Sequence, residues 1–226
     1  MTALDVGNVR QQKVGGVAAL YLAAAYVVAM PYFLVFVKYQ SAVGPAGKVA
    51  LLVSHHDSMR IMYLITYIIF GIVLAVLALA LYARLKDGTP TLAQATTAVG
   101  LIWAFVLVAS GMIFNAGMGA VVGLHGANPA QAVSAWQAIE PVAQGLGGAG
   151  GKLLGGLWVL LVSVAALRIG GLPKALNWLG MAIGTAGILS VVPVLQDLAY
   201  GFGLLQIAWF VWLGVVMLRT PRRRAP

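Results

Sequence analysis

The sequence predicts an all-α integral membrane protein, a six-transmembrane-helix bundle with a short outer interfacial helix. Three observations predict it. Six apolar stretches fill most of the 226 residues, and each approaches the roughly 20 residues that a helix needs to cross a hydrocarbon core. Hydrophobic residues make up 62% of the chain and charged residues 8%, where a soluble domain carries roughly a quarter charged. No polar stretch is long enough to fold separately, so residues 1–226 are expected to form a single membrane domain. With so little polar surface the chain takes lipid as its solvent. There every backbone group must be satisfied internally, which selects helices over open strands.

The expected spans are Val14–Val37, Ile61–Ala83, Ala93–Phe114, Gly147–Leu167, Leu176–Leu195 and Leu198–Leu218. The first is too long for a signal-peptide core and reads as a retained helix, kinked near Pro31. Lys86-Asp87-Gly88-Thr89-Pro90 joins the second span to the third, and Gly170-Gly171-Leu172-Pro173 joins the fourth to the fifth. Gly and Pro are the residues that stop one helix and start the next. The two hairpins resemble each other, as an internal repeat or simply as two tight turns. Between Lys38 and Arg60, Val49–Val53 predicts a short interfacial helix. Further on, Asn128-Pro129 is a cap and first-turn pair. Val133, Trp136, Ile139 and Val142 follow at three-residue spacing, which predicts an amphipathic surface helix over Pro129–Gln144. The Gly-rich run from Gly145 to Gly151 is expected to loosen the chain before the fourth span. Gly180 and Gly184 form a GxxxG pair, which serves close packing inside the bundle or between copies.

Charge placement sets the orientation. With six spans, one side holds Arg10, Lys13, Arg84, Lys86, Arg168, Lys174, Arg219 and Arg222–Arg224, ten basic residues in all. The other side holds four: Lys38, Lys48, Arg60 and Lys152. The positive-inside rule therefore predicts cytoplasmic N- and C-termini in a bacterial inner membrane. The net charge of +9 reflects these helix ends and the basic tail rather than nucleic-acid binding. The expected partners are the lipid bilayer and other membrane proteins or a homo-oligomer. There are no cysteines, so disulfides, thiolate chemistry and Cys-ligated metals are excluded within this chain.

A family likeness runs along most of the chain. It is carried by Leu154–Val162 with Ala165-Ala166-Leu167-Arg168, by Gly171-Leu172-Pro173-Lys174 with Trp178-Leu179-Gly180, and by Trp212-Leu213-Gly214 before Leu218-Arg219. The opening Lys13–Tyr21 belongs to it too. The chain resembles the bacterial six-helix membrane proteins catalogued as domain of unknown function 4386. The resemblance implies a six-helix inner-membrane bundle. It brings no activity, cofactor or catalytic residue.

Chemistry has few places to sit. The spans carry no ionised residue except Lys152 near an outer end, where a lysine can snorkel. Intramembrane charge usually marks ion paths and proton relays. Asn115, at the end of the third span, and Gln206, in the sixth, are read as the costly polar residues and are expected to bond across helices. All three histidines, His55, His56 and His125, fall on the outer side with Asp57, Glu140 and Asp197. Imidazole and carboxylate can hold zinc, copper or haem, so His55, His56, His125 and Glu140 are the candidate metal ligands. Their spacing matches no ligand motif, and no phosphate loop, nucleophile elbow or HExxH motif is present. No catalytic residue is assigned, and no cofactor is required by the sequence. These features point first to a non-catalytic accessory, scaffolding or apolar-ligand-binding subunit. A small-solute permease and the membrane subunit of a redox or metal-dependent enzyme are the alternatives.

Overall fold

The computed structural model describes residues 3–219, and these are helical nearly throughout. Among the described residues nine α-helices follow in order: α1 (Ala3–Pro31), α2 (Gly44–Ser54), α3 (His56–Tyr63), α4 (Phe70–Leu85), α5 (Pro90–His125), α6 (Pro129–Ala143), α7 (Gly150–Ile169), α8 (Lys174–Leu189) and α9 (Leu198–Arg219). Three π-helical segments join or extend them, Tyr32–Phe36, Leu64–Ile69 and Gln144–Ala149. Five helical runs are long and apolar enough to cross a membrane: Val9–Ser41, His56–Leu85, Pro90–His125, Pro129–Ile169 and Gly201–Arg219. Four of the six expected spans lie inside these runs. The last, Leu198–Leu218, falls mostly on Gly201–Arg219. The remaining stretch, Leu176–Leu195, is a helix of 16 residues, α8. That length rises only about 24 Å at 1.5 Å per residue. It ends at Leu189, and the chain turns through Pro193–Leu195 before α9.

The chain divides into two compact units. The first draws on Met1–Ala24, Ile72–Ala104 and Lys152–Pro226. Its packing depends on missing side chains. A Cβ on Gly156 would lie 2.8 Å from the Gly184 carbonyl oxygen, and one on Gly184 would lie 2.7 Å from the Gly156 carbonyl oxygen. The α7 and α8 backbones therefore touch. Gly187 sits under the Phe202 ring of α9, and Gly16 faces Gly214 across α1 and α9. The GxxxG pair thus serves packing within the chain. At one end of this unit Arg84 is buried. Its Nη1 donates to Gln12 Oε1 at 2.8 Å and its Nε to the Gly171 carbonyl at 2.9 Å. One guanidinium ties α4 to α1 and to the α7–α8 turn.

The second unit draws on Ala25–Gly71 and Phe105–Gly151. Here α1 passes into π geometry directly after Pro31, and Lys38 takes a left-handed backbone, φ 53°, that ends the run. The Gly-rich segment expected to loosen the chain is instead the π turn Gln144–Ala149. It carries the helix from α6 toward α7. Such turns place one extra residue in the helical ladder and re-aim the faces on either side.

Helix α6 begins where the sequence predicts. Pro129 opens it, and the Asn128 side chain accepts a bond from the Gln131 backbone N–H at 3.1 Å. The predicted apolar face is only partly used. Trp136 is fully buried, Val133 and Ile139 are half-buried, and Val142 is exposed. The reason is geometric. Three-residue steps drift about 60° each at 3.6 residues per turn, so Val142 lies opposite Val133. The buried face is Ala132, Trp136 and Ala143.

Candidate functional site

The second unit has one core, and its polar groups gather around it. Leu52 and Val49 on α2, Met59 and Tyr63 on α3, Phe114, Met118 and Val121 on α5, and Trp136 on α6 are all buried. Aromatic rings make the centre. Tyr63 stacks on Phe114 at 4.4 Å between centroids, and Phe114 lies 6.2 Å from Trp136. Offset and tilted ring pairs of this kind add to the burial of their area.

Four side chains lock this core by hydrogen bonds. Trp136 Nε1 donates to Tyr39 Oη at 2.8 Å, and Tyr39 Oη donates to Glu140 Oε1 at 3.0 Å. Lys48 Nζ donates to both carboxylate oxygens of Glu140, at 2.8 and 2.9 Å. The Lys48 ammonium also stands 5.4 Å from the centroid of the Tyr39 ring. Sequence explains each position locally. Tyr39 follows the left-handed Lys38, which turns the chain out of α1. Lys48 lies on the second turn of α2, after Pro45 near that helix's start. Trp136 and Glu140 are four residues apart and so share a face of α6. The carboxylate is half-buried, and its oxygens are spent on an ammonium and a phenol. Charge-assisted bonds of this kind are the strong class.

The candidate ligands do not form a cluster. Among the described residues, no group of three or more His, Asp or Glu side chains is placed to hold a metal ion. Glu140 is committed to Lys48 and Tyr39. His55 Nδ1 sits 2.9 Å from Ser54 Oγ and 3.3 Å from the Leu51 carbonyl, and its ring meets Phe36 edge-on at 5.6 Å. His56 Nδ1 sits 3.2 Å from Asp57 Oδ1, and that aspartate is almost wholly exposed. Two imidazole nitrogens, His56 Nε2 and His125 Nδ1, are buried without a hydrogen-bond partner among the described residues. Of the four candidate metal ligands, Glu140 is thus taken up by the Lys48 ion pair and by Tyr39. Asp197 is exposed on the turn between α8 and α9, in the other unit.

The two amides expected to bond across helices, Asn115 and Gln206, behave differently from each other. Asn115 Nδ2 donates to the Gly111 carbonyl of its own helix at 3.1 Å, where a bond to another helix was expected. Four-residue back-bonding satisfies the amide locally. Gln206 is fully buried in the first unit, and neither end of its amide has a partner there.

Tyr39 and Lys48 were not legible as site residues. Lys48 is separated from Glu140 by 92 positions and Tyr39 by 101. The available signal was compositional: only five acids in the whole chain to pair with fourteen Lys and Arg. Comparison with protein-family models, with curated proteins and with solved structures finds no match.

Proposed function

We propose that this chain is a six-span bacterial inner-membrane protein with cytoplasmic termini, acting as a non-catalytic accessory or scaffolding subunit. The observation that carries the functional reading is the Trp136–Tyr39–Glu140–Lys48 chain. It spends the charged and polar groups of α2 and α6 on holding one apolar core together, which is what a structural cap requires. The same core, built of stacked aromatic rings, suits packing against apolar ligands or neighbouring membrane helices.

We assign the sixth crossing to α8. It runs antiparallel to α7, because Gly156 meets Gly184 and Ser163 meets Gly180. It also runs antiparallel to α9, because Gly187 meets Phe202 and Gly180 meets Trp209. Packing between α7 and α9 supports α8 as a crossing alongside them, with the turn through 190–197 adding to its length. Single cysteines at Lys174 and Val194 are therefore expected to label from opposite sides with an impermeant thiol reagent. Lys86→Cys should label with Lys174→Cys from the cytoplasm, and Ala127→Cys with Val194→Cys from outside. Lys174→Cys and Val194→Cys labelling from one side would remove the sixth crossing.

The functional test is composition and flux. Extracted gently from its native membrane into nanodiscs, the 23.6 kDa chain is expected in a complex of fixed stoichiometry with another membrane protein. Reconstituted alone, it should pass no small uncharged solute and carry no bound metal. A monomer that supports solute flux in proteoliposomes would favour the permease, and stoichiometric copurifying metal would favour the metal-dependent enzyme subunit.

A further inference from the structure

The first unit holds buried polar atoms that its own helices do not satisfy. Ser163 on α7 and Gln206 and Trp209 on α9 are each fully buried. Ser163 Oγ, Trp209 Nε1 and both ends of the Gln206 amide have no hydrogen-bond partner among the described residues. Two of these groups face a common place. Ser163 Oγ and Trp209 Nε1 both lie against the position a Cβ on Gly180 would take. They are therefore within about 5 Å of each other, the reach of one bridging water. Gln206 is on the same α9 face, four residues after Phe202 and three before Trp209. Phe202 packs on Gly187 and Trp209 on Gly180, and at 3.6 residues per turn Gln206 shares the side of α9 that carries them.

We propose that Ser163, Gln206 and Trp209 form a membrane-embedded binding site for a small, uncharged molecule that both donates and accepts hydrogen bonds, and that water fills it. The donor inventory selects the guest. An indole N–H only donates, while a hydroxyl and a primary amide both donate and accept. The guest must accept from Trp209 and exchange bonds in both directions with Ser163 and Gln206. An ion is disfavoured, because no charged side chain is among these groups and an uncompensated charge is costly in a low dielectric. A lipid tail offers no polar atom. Water makes 2–4 bonds in buried sites, which the three side chains supply. Gly180 makes the arrangement available, since any larger residue would collide with Ser163 Oγ. Unsatisfied polar atoms in an apolar interior are costly, and a bound guest accounts for a glutamine buried on the mostly apolar α9.

The test is water contact at one indole. Protein labelled with nitrogen-15 at tryptophan, held in micelles, is expected to show magnetisation transfer from water to the Trp209 indole proton. Trp→Phe variants assign the six tryptophans. Ser163→Ala and the double variant Ser163→Ala/Gln206→Met should lose that transfer. The Trp136 indole, which is bonded to Tyr39, should keep its chemical shift, showing that the chain still folds. Gln206→Met should also lower the unfolding midpoint, because it removes bonds to a resident guest. Absence of water transfer at Trp209 in the unsubstituted protein would overturn the proposal. So would transfer that survives the double substitution, or a raised midpoint in Gln206→Met, which would mark the amide as unpaired.

Discussion

Gly184→Leu is expected to abolish most of the folded protein in the membrane. Helices in lipid gain nothing from leaving water, so their association rests on close van der Waals packing. At Gly184 that packing is backbone against backbone. A Cβ there would stand 2.7 Å from the Gly156 carbonyl oxygen and 2.9 Å from the Leu160 backbone nitrogen. Neither is a flexible tip that can swing aside. Overpacking of a core usually costs about 1–3 kcal/mol, and a full leucine against two main chains belongs at or beyond the top of that range. Gly156→Leu should behave the same way from the opposite helix, since its Cβ would meet the Gly184 oxygen and the Ile188 nitrogen. Gly201→Ala is the control. Nothing lies within 4 Å of a Cβ at Gly201, and alanine is the better helix former by up to about 1 kcal/mol. Size-exclusion recovery and thermal midpoints in detergent give the readout. If Gly184→Leu melts with the unsubstituted protein, α8 does not pack between α7 and α9.

The same glycines show how far the sequence could be read. Hydropathy found where helices run, because an apolar stretch of bilayer length has few other uses. The Gly180 and Gly184 pair announced a close approach but could not name the opposing helix. Asn128-Pro129 located the start of α6 to the residue, because a cap is a local interaction. What escaped was non-local or irregular. The three π segments carry no composition of their own: one is aromatic, one is β-branched and one is Gly-rich. Arg84 read as a charge on a loop, and its burial against Gln12 and the Gly171 carbonyl depends on contacts 72 and 87 positions away. The histidines suggested a site because residue type is visible in sequence and geometry is not. Glu140 found a lysine rather than an imidazole.

That lysine pairing makes Trp136 the residue whose loss should most damage the second unit. Trp136→Ala is expected to cost about 3–5 kcal/mol, the usual range for deleting a fully buried large aromatic. Two losses combine. The ring leaves a cavity beside Phe114, 6.2 Å away by centroids. The indole N–H no longer donates to Tyr39 Oη, a bond of 2.8 Å. Trp136→Phe separates them. Phenylalanine keeps most of the packing and removes the donor. Tyr39 still donates to Glu140, and Lys48 still holds both carboxylate oxygens. The remaining cost should then approach that of one neutral hydrogen bond, about 0.5–1.5 kcal/mol, plus a smaller cavity term. Lys48→Met should cost more than Trp136→Phe, because it leaves a half-buried carboxylate with a phenol as its sole partner. Combining Trp136→Phe with Lys48→Met tests whether the four groups act as one network. Their effects should not add, since both act on the same Tyr39–Glu140 contact. Unfolding midpoints in detergent would measure all four variants. Simple additivity would mean that the ion pair and the indole bond stabilise this core independently. Equal midpoints for Trp136→Ala and Trp136→Phe would mean that the ring itself contributes nothing, contrary to its complete burial against Phe114.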